Sequence, residues 1–156
     1  MKTDNLWLKY TEEDMTKVKE VCDRYKQCLD NGKTERECVS QVVKMAQQQG
    51  YRELHSVIEQ GGRPVAGDKL YAVQMDKSVV LFQMGKKPVS QGMRILGAHI
   101  DSPRIDVKQN PLYESDGFAY LDTHYYGGIK KYQWTTIPLA LHGVAVKKDG
   151  TVVKIS

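Results

Sequence analysis

Two consecutive amphipathic helical patterns, within residues 11–50, constrain the fold of this 156-residue chain more than any other feature. Thr11 and Thr34 each stand at the start of a pattern as N-cap residues, and Glu37 completes a capping box with Thr34. Apolar residues then recur at helical spacing until a glycine ends each pattern. Each predicted helix has one apolar face, so the pair requires another element that the two faces can cover.

Strand-like runs that can meet this requirement follow in the middle of the chain. Residues 70–75 and 78–84 are separated by Asp76-Lys77, a short polar break that favours a hairpin. A third run, residues 94–100, is strongly apolar and is predicted to be an interior strand that ends at His99. Helices followed by strands, with a buried strand among them, predict an α/β fold in which helices cover a sheet.

The sequence pattern changes after residue 110. Helical periodicity disappears, and Lys148-Asp149-Gly150 predicts a hairpin turn because Asp-Gly tolerates positive φ angles. We therefore predict a boundary between residues 1–110 and a separate β region at 111–156. A β unit of about 45 residues is small for independent stability, so we expect the natural chain to continue past Ser156. The predicted strands of this region are 118–123, 134–146 and 151–155.

Charge and cysteine content exclude several classes of protein. The 23 Lys and Arg residues are scattered among 19 Asp and Glu residues, so no basic stripe indicates nucleic-acid binding. No stretch approaches the roughly 20 apolar residues of a membrane span, and the first residues lack the apolar core of a signal peptide. The three cysteines have no metal-binding or redox spacing and are typical of reduced thiols. We expect a cytoplasmic protein that binds neither nucleic acid nor a membrane.

The candidate chemistry is concentrated at His99 and Asp101. Side chains two positions apart on a strand share a face, so these two would lie together at a strand end, where open α/β sheets build their sites. A histidine binds a metal through one ring nitrogen while a carboxylate holds the other N–H. One histidine and one acid do not complete a zinc site, so spacing alone favours a strand-end histidine hydrogen-bonded to an acid over a metal ligand. We interpret the other histidines as surface or hydrogen-bonded residues: His55, His124 and His142.

Two longer segments resemble a known family. The run Gly97-Ala98-His99-Ile100-Asp101-Ser102-Pro103 resembles the first metal-binding motif of the aspartyl-aminopeptidase and vacuolar-aminopeptidase-I family of dinuclear zinc peptidases. Tyr125-Tyr126-Gly127-Gly128, followed by Leu139-Ala140-Leu141-His142-Gly143-Val144, is similar to the segment that leads into that family's dimerisation domain. The resemblance extends over residues 11–156. Ile129-Lys130-Lys131 stands where many members have a tryptophan, aspartate and arginine run, which is typical of a bacterial branch.

The resemblance implies a zinc-dependent aminopeptidase that hydrolyses N-terminal residues from peptides with a water activated by two metal ions. His99 would bind one zinc ion, and Asp101 would be the carboxylate that orients it. Residues 1–110 would be the N-terminal part of the catalytic domain, and residues 111–156 the start of an inserted β dimerisation domain that implies a homo-oligomer. The remaining ligands and the general base would follow that domain, so this chain would be inactive alone.

A non-catalytic alternative stays open beside the enzyme. A truncated or degenerate copy of such an enzyme could retain the dimerisation surface and act as an interaction module. Acidic ligands encoded after Ser156 would favour the enzyme, whereas a reading frame that stops there would favour the module.

Overall fold

The computed structural model describes residues 5–156, which form a mixed α/β structure. These residues divide into two compact units, the first ending at Ile95 and the second beginning at Leu96. No helix within the described part of the chain is long and apolar enough to cross a membrane.

The first unit contains helices α1 (Glu12–Asn31) and α2 (Glu35–Gln48), strand β1 (Arg52–Glu53), helix α3 (Leu54–Glu59), and strands β2 (Lys69–Gln74) and β3 (Ser78–Gln83). The second contains strands β4 (Arg104–Ser115) and β5 (Phe118–Tyr126), helix α4 (Lys131–Trp134), and strands β6 (Gly143–Val146) and β7 (Val152–Ile155).

Helices α1 and α2 begin at the predicted N-caps, which confirms both helix starts. At α1 the Asp14 N–H donates to the Thr11 hydroxyl oxygen at 3.2 Å, and the Thr11 N–H donates to the Asp14 carboxylate at 3.0 Å. Thr34 and Glu37 form the same reciprocal pair at α2. Each capping box gives partners to N–H groups that the first turn of a helix leaves without one.

Strands β2 and β3 form the predicted hairpin, and β1 pairs in parallel with β2 to give the sheet order β1-β2-β3. The hairpin turn places Met75 and Asp76 at φ angles of 51° and 56°. The Arg36 Nη1 atom donates to the Met75 carbonyl oxygen at 3.0 Å, so α2 holds the turn in place.

The core of the first unit lies between α2 and this sheet. Leu70 of β2 is 1% exposed and Tyr71 is also buried, as are Val39 and Ala46 of α2. The hydroxyl of Tyr71 accepts a hydrogen bond from Gln47 Nε2 at 2.9 Å, so its polar end has a partner. The sequence predicts that both helices cover a sheet; α2 provides that cover, whereas α1 packs against α2.

The second unit consists of two separate antiparallel pairs, β4 with β5 and β6 with β7. In the longer pair Arg104 lies opposite Tyr126 at one end and Ser115 opposite Phe118 at the other. Among the described residues of this unit, none is as buried as the four core residues of the first unit. Backbone pairing, and not a packed core, therefore defines its local structure.

Two predicted strands are wrong. Residues 94–100 form no strand, since no described residue pairs with them, and Leu96 is 101% exposed. An apolar run becomes a strand only when a neighbouring chain accepts its hydrogen bonds. The predicted strand at 134–146 is instead the end of α4, an irregular stretch and the short strand β6. That stretch contains Pro138, which cannot donate to a ladder.

Strand β4 runs through the predicted boundary between residues 110 and 111. Its pairing with β5 shifts register between Val107 and Leu112, and this irregularity takes in Pro111, which has no N–H to donate. The assignment of residues 1–110 to a catalytic domain and of 111–156 to a dimerisation domain stays a prediction.

Candidate metal site

His99 and Asp101 lie together in the irregular segment that precedes β4. His99 Nδ1 is 3.0 Å from the main-chain oxygen of Asp101 and 3.3 Å from its carboxylate Oδ1. Both atoms are acceptors, so the hydrogen of the neutral imidazole is assigned to Nδ1. The lone pair is then on Nε2, and the His99 side chain is 84% exposed. This arrangement leaves Nε2 able to bind a metal ion.

The second carboxylate oxygen of Asp101 is bound by a tyrosine of β5. Tyr126 Oη donates a hydrogen bond to Asp101 Oδ2 at 2.8 Å. This hydrogen bond is the main reason that the pKa of the Asp101 carboxyl is lowered from its ordinary value, and the Asp101 N–H and His99 lower it further. Asp101 is therefore held as a carboxylate that connects a tyrosine to a histidine.

The position of Tyr126 follows from the β4–β5 pairing and from the turn after it. Arg104, its partner across the pair, has its guanidinium carbon 4.3 Å from the centre of the Tyr126 ring, a cation–π distance. Arg104 Nε also donates to Asp106 Oδ1 at 2.7 Å. Gly127 follows with a φ of 70°, and a Cβ at this position would lie 3.4 Å from Pro103 Cα. The tyrosine-glycine segment thus packs directly against the segment that carries His99.

His99 and Asp101 form only part of a possible metal site. Across residues 5–156, no three His, Cys, Asp or Glu side chains lie close enough together to hold a metal ion. Zinc sites use three or four protein ligands, so a complete site needs groups besides these two.

Two of the other histidines lie beside identified hydrogen-bond or ion-pair partners. His55 Nε2 lies 3.1 Å from Glu59 Oε1 one helical turn along α3, and His124 Nδ1 lies 3.4 Å from the Tyr125 carbonyl oxygen. His142 is half-buried immediately before β6. The interpretation of these three histidines as surface or hydrogen-bonded residues stays a prediction.

The family of the chain follows from a match over most of its length. Residues 28–156 match the family described as Aminopeptidase I zinc metalloprotease (M18). The chain belongs to the M18 family. This membership confirms the resemblance that was identified from the histidine and tyrosine-glycine segments.

M18 relatives match nearly all of the chain. A probable M18 family aminopeptidase 1 from Clostridium acetobutylicum is 52% identical over 151 residues, which are 97% of this chain and 32% of that protein. The crystal structure of aminopeptidase I from Borrelia burgdorferi B31 is similar with a TM-score of 0.89 and 35% identity, covering 97% of this chain and 37% of that one. An M18 aminopeptidase from Thermotoga maritima has a TM-score of 0.87 and 36% identity, covering 99% of this chain and 33% of that one. The M18 chain therefore spans about a third of the length of the curated relatives that it matches.

Proposed function

We propose that this chain is the N-terminal portion of a zinc-dependent aminopeptidase that hydrolyses N-terminal residues from peptides, with His99 as a zinc ligand. The observation that carries the proposal is the pairing of His99 Nδ1 with Asp101, which leaves Nε2 and its lone pair at an exposed position. Membership of a family described as zinc metalloproteases supports zinc as the metal.

The chain's own residues would hold and orient one ligand. His99 Nε2 would bind zinc, and Asp101 would keep the ring in one tautomer and raise its basicity by holding Nδ1–H. Zinc, when bound, supplies a Lewis acid that activates water and polarises the scissile carbonyl. We propose two zinc ions per active site, with the other ligands and the general base supplied by residues outside the described part of the chain. Asp101 is then a catalytic-site carboxylate but not the general base.

The domain arrangement belongs to the same proposal. Residues 1–110 would be the N-terminal part of the catalytic domain, and residues 111–156 the start of a β domain through which copies of the protein form a homo-oligomer. The absence of fully buried residues among the described strands β4–β7 supports this, because unpaired strand edges and exposed apolar side chains favour association. Three free cysteines support a cytoplasmic location.

A second candidate is a non-catalytic interaction module derived from such an enzyme. The observation in its favour is the aromatic surface of the β4–β5 pair, where Tyr113 and Tyr120 stack with ring centres 5.2 Å apart and both side chains are exposed. The complete gene decides between the candidates, since only the enzyme requires acidic metal ligands encoded after Ser156.

The test of the proposed function is His99→Ala in the complete protein, with bound zinc measured by atomic absorption and turnover measured on a peptide substrate. The variant removes a ligand, so activity should fall by more than the roughly 10- to 100-fold expected when only a ligand's hydrogen-bond partner is lost. His55→Ala is the matched control, because it removes an exposed histidine that pairs with Glu59. Unchanged zinc content and unchanged turnover in His99→Ala would overturn the assignment.

A further inference from the structure

We propose that Tyr126 is a positioning residue of the metal site, which acts through Asp101 to fix the ring of His99. This inference rests on the proposed role of His99 as a zinc ligand. The contacts form a continuous chain: Tyr126 Oη lies 2.8 Å from Asp101 Oδ2, and Asp101 Oδ1 lies 3.3 Å from His99 Nδ1. The two oxygens of one carboxylate thus connect the tyrosine to the metal-binding ring.

Asp101 needs such an anchor because it lies outside regular secondary structure. Residues 94–103 have no regular secondary structure in this chain, so no strand ladder fixes the direction of the Asp101 side chain. The His99 Nδ1–H can also turn towards the Asp101 main-chain oxygen at 3.0 Å. A carboxylate free to rotate would leave the ring with two competing acceptors and no single orientation. The Tyr126 hydroxyl prevents that rotation by holding Oδ2.

Tyr126 is suited to this role because Arg104 covers its ring and the turn that follows it is closely packed. It lies opposite Arg104 in the β4–β5 pair, and the Arg104 guanidinium covers the ring at 4.3 Å. The following Gly127, at a φ of 70°, brings the turn against Pro103. The pairing of β5 with β4 and the close turn at Gly127 therefore both determine where the Tyr126 hydroxyl lies relative to Asp101.

Tyr125, the preceding residue, provides a matched comparison. Its ring lies beneath Lys131 Nζ at 4.3 Å, and its hydroxyl makes no hydrogen bond with any described residue. Phenylalanine at either position removes one hydroxyl from an exposed tyrosine of β5 and retains the ring. Only the change at Tyr126 removes a contact to Asp101.

The experiment uses the complete zinc-loaded protein and its Tyr126→Phe and Tyr125→Phe variants. Zinc affinity is measured by competition with a chelator, and the ligand geometry by the visible absorption spectrum after cobalt substitution. Tyr126→Phe should weaken zinc binding by about 10-fold, the lower end of the range for lost outer hydrogen bonds to a metal ligand, and should alter the cobalt spectrum. Tyr125→Phe should leave both unchanged. Zinc affinity and spectrum as in the unmodified protein for Tyr126→Phe would overturn the inference.

A second comparison separates positioning from a merely structural role. In an Asp101→Ala background, Tyr126→Phe should cause no further loss of zinc affinity, because the carboxylate through which it acts is gone. An equal loss in both backgrounds would show that Tyr126 acts by another route and would refute the inference. His99→Ala distinguishes the two proposals. If this variant retains its zinc, the proposed function fails. If it loses zinc while Tyr126→Phe binds zinc as tightly as the unmodified protein, only the positioning role of Tyr126 is refuted.

Discussion

The two units of the chain reach regular structure by different means. Up to Ile95, helix α2 covers a three-stranded sheet, and four hydrophobic residues of the described part are buried. From Leu96 onward the described strands pair in twos, and none of their residues is equally buried. Backbone pairing defines a hairpin, but burial of apolar area supplies most of the stability of a domain. The candidate metal site lies in the second unit, so its geometry depends on a few specific contacts and not on a core.

The largest expected effect is that of a core truncation in the first unit. Leu70→Ala in this chain should lower the free energy of unfolding by about 2–5 kcal/mol, because it removes a buried side chain and leaves a cavity. Urea denaturation followed by circular dichroism measures the change. Leu96→Ala removes the same atoms from an exposed position and should alter stability by no more than about 0.5 kcal/mol. Equal losses in the two variants would break the comparison, since residues 94–100 would then be buried in solution.

A smaller effect is expected at the turn that ends β5. Gly127→Ala places a Cβ at a φ of 70° and 3.4 Å from Pro103, which should cost about 1–2 kcal/mol of local stability. Amide exchange in β4 and β5 should accelerate by about 5- to 30-fold, while exchange in α2 stays the same. Gly128→Ala is the control, because a Cβ there meets no described atom within 4 Å. Similar exchange in both variants would show that the turn does not restrain the pair.

The smallest effect is the response of the second unit to acid. A hydrogen bond from Lys108 Nζ at 2.9 Å lowers the pKa of the Asp122 carboxyl. A carboxyl with a lowered folded-state pKa stabilises the fold above its unfolded pKa, near 3.9, and that contribution is lost as the pH falls through the folded value. Exchange protection of the β4–β5 amides, corrected for intrinsic rates, should therefore be constant from about pH 7 to 5 and decline below about pH 4.

The control for the acid response is Asp122→Asn, which should reduce this decline. The amides of Leu70 and Tyr71 in β2 serve as the internal reference, because both residues are buried and neither carries a carboxyl. A decline of the same size at Leu70 and Tyr71 and in the β4–β5 pair would show that the two units do not differ in their response to acid.

Local chemistry explains which elements could be predicted from the sequence. The helix starts at Thr11 and Thr34 depend on residues three positions apart, and the β2–β3 hairpin depends on a short polar turn. Strand β4 was missed because Asn110-Pro111 was interpreted as a boundary. The strand continues because its register irregularity removes the need for a hydrogen bond from Pro111.

Long-range contacts explain what could not be predicted. The apolar run at residues 94–100 indicates a preference for burial, but no periodicity specifies the chain with which it would pair. His99 and Asp101 were found as candidates because they are two residues apart. The contact of Asp101 with Tyr126 spans 25 residues and depends on the register of β4 with β5. That register could not be predicted from the sequence pattern.

The separation of 25 residues between Asp101 and Tyr126 also has a consequence during protein synthesis. The contacts of the first unit lie within the chain up to Ile95, so this unit can fold while later residues are still being added. At about 5–20 residues per second, Tyr126 is added roughly 1 to 5 s after Asp101, given their separation of 25 residues. For that interval the nascent chain has His99 beside an aspartate whose second carboxylate oxygen still lacks its tyrosine. The order of translation thus makes the metal-site contacts the later ones to assemble.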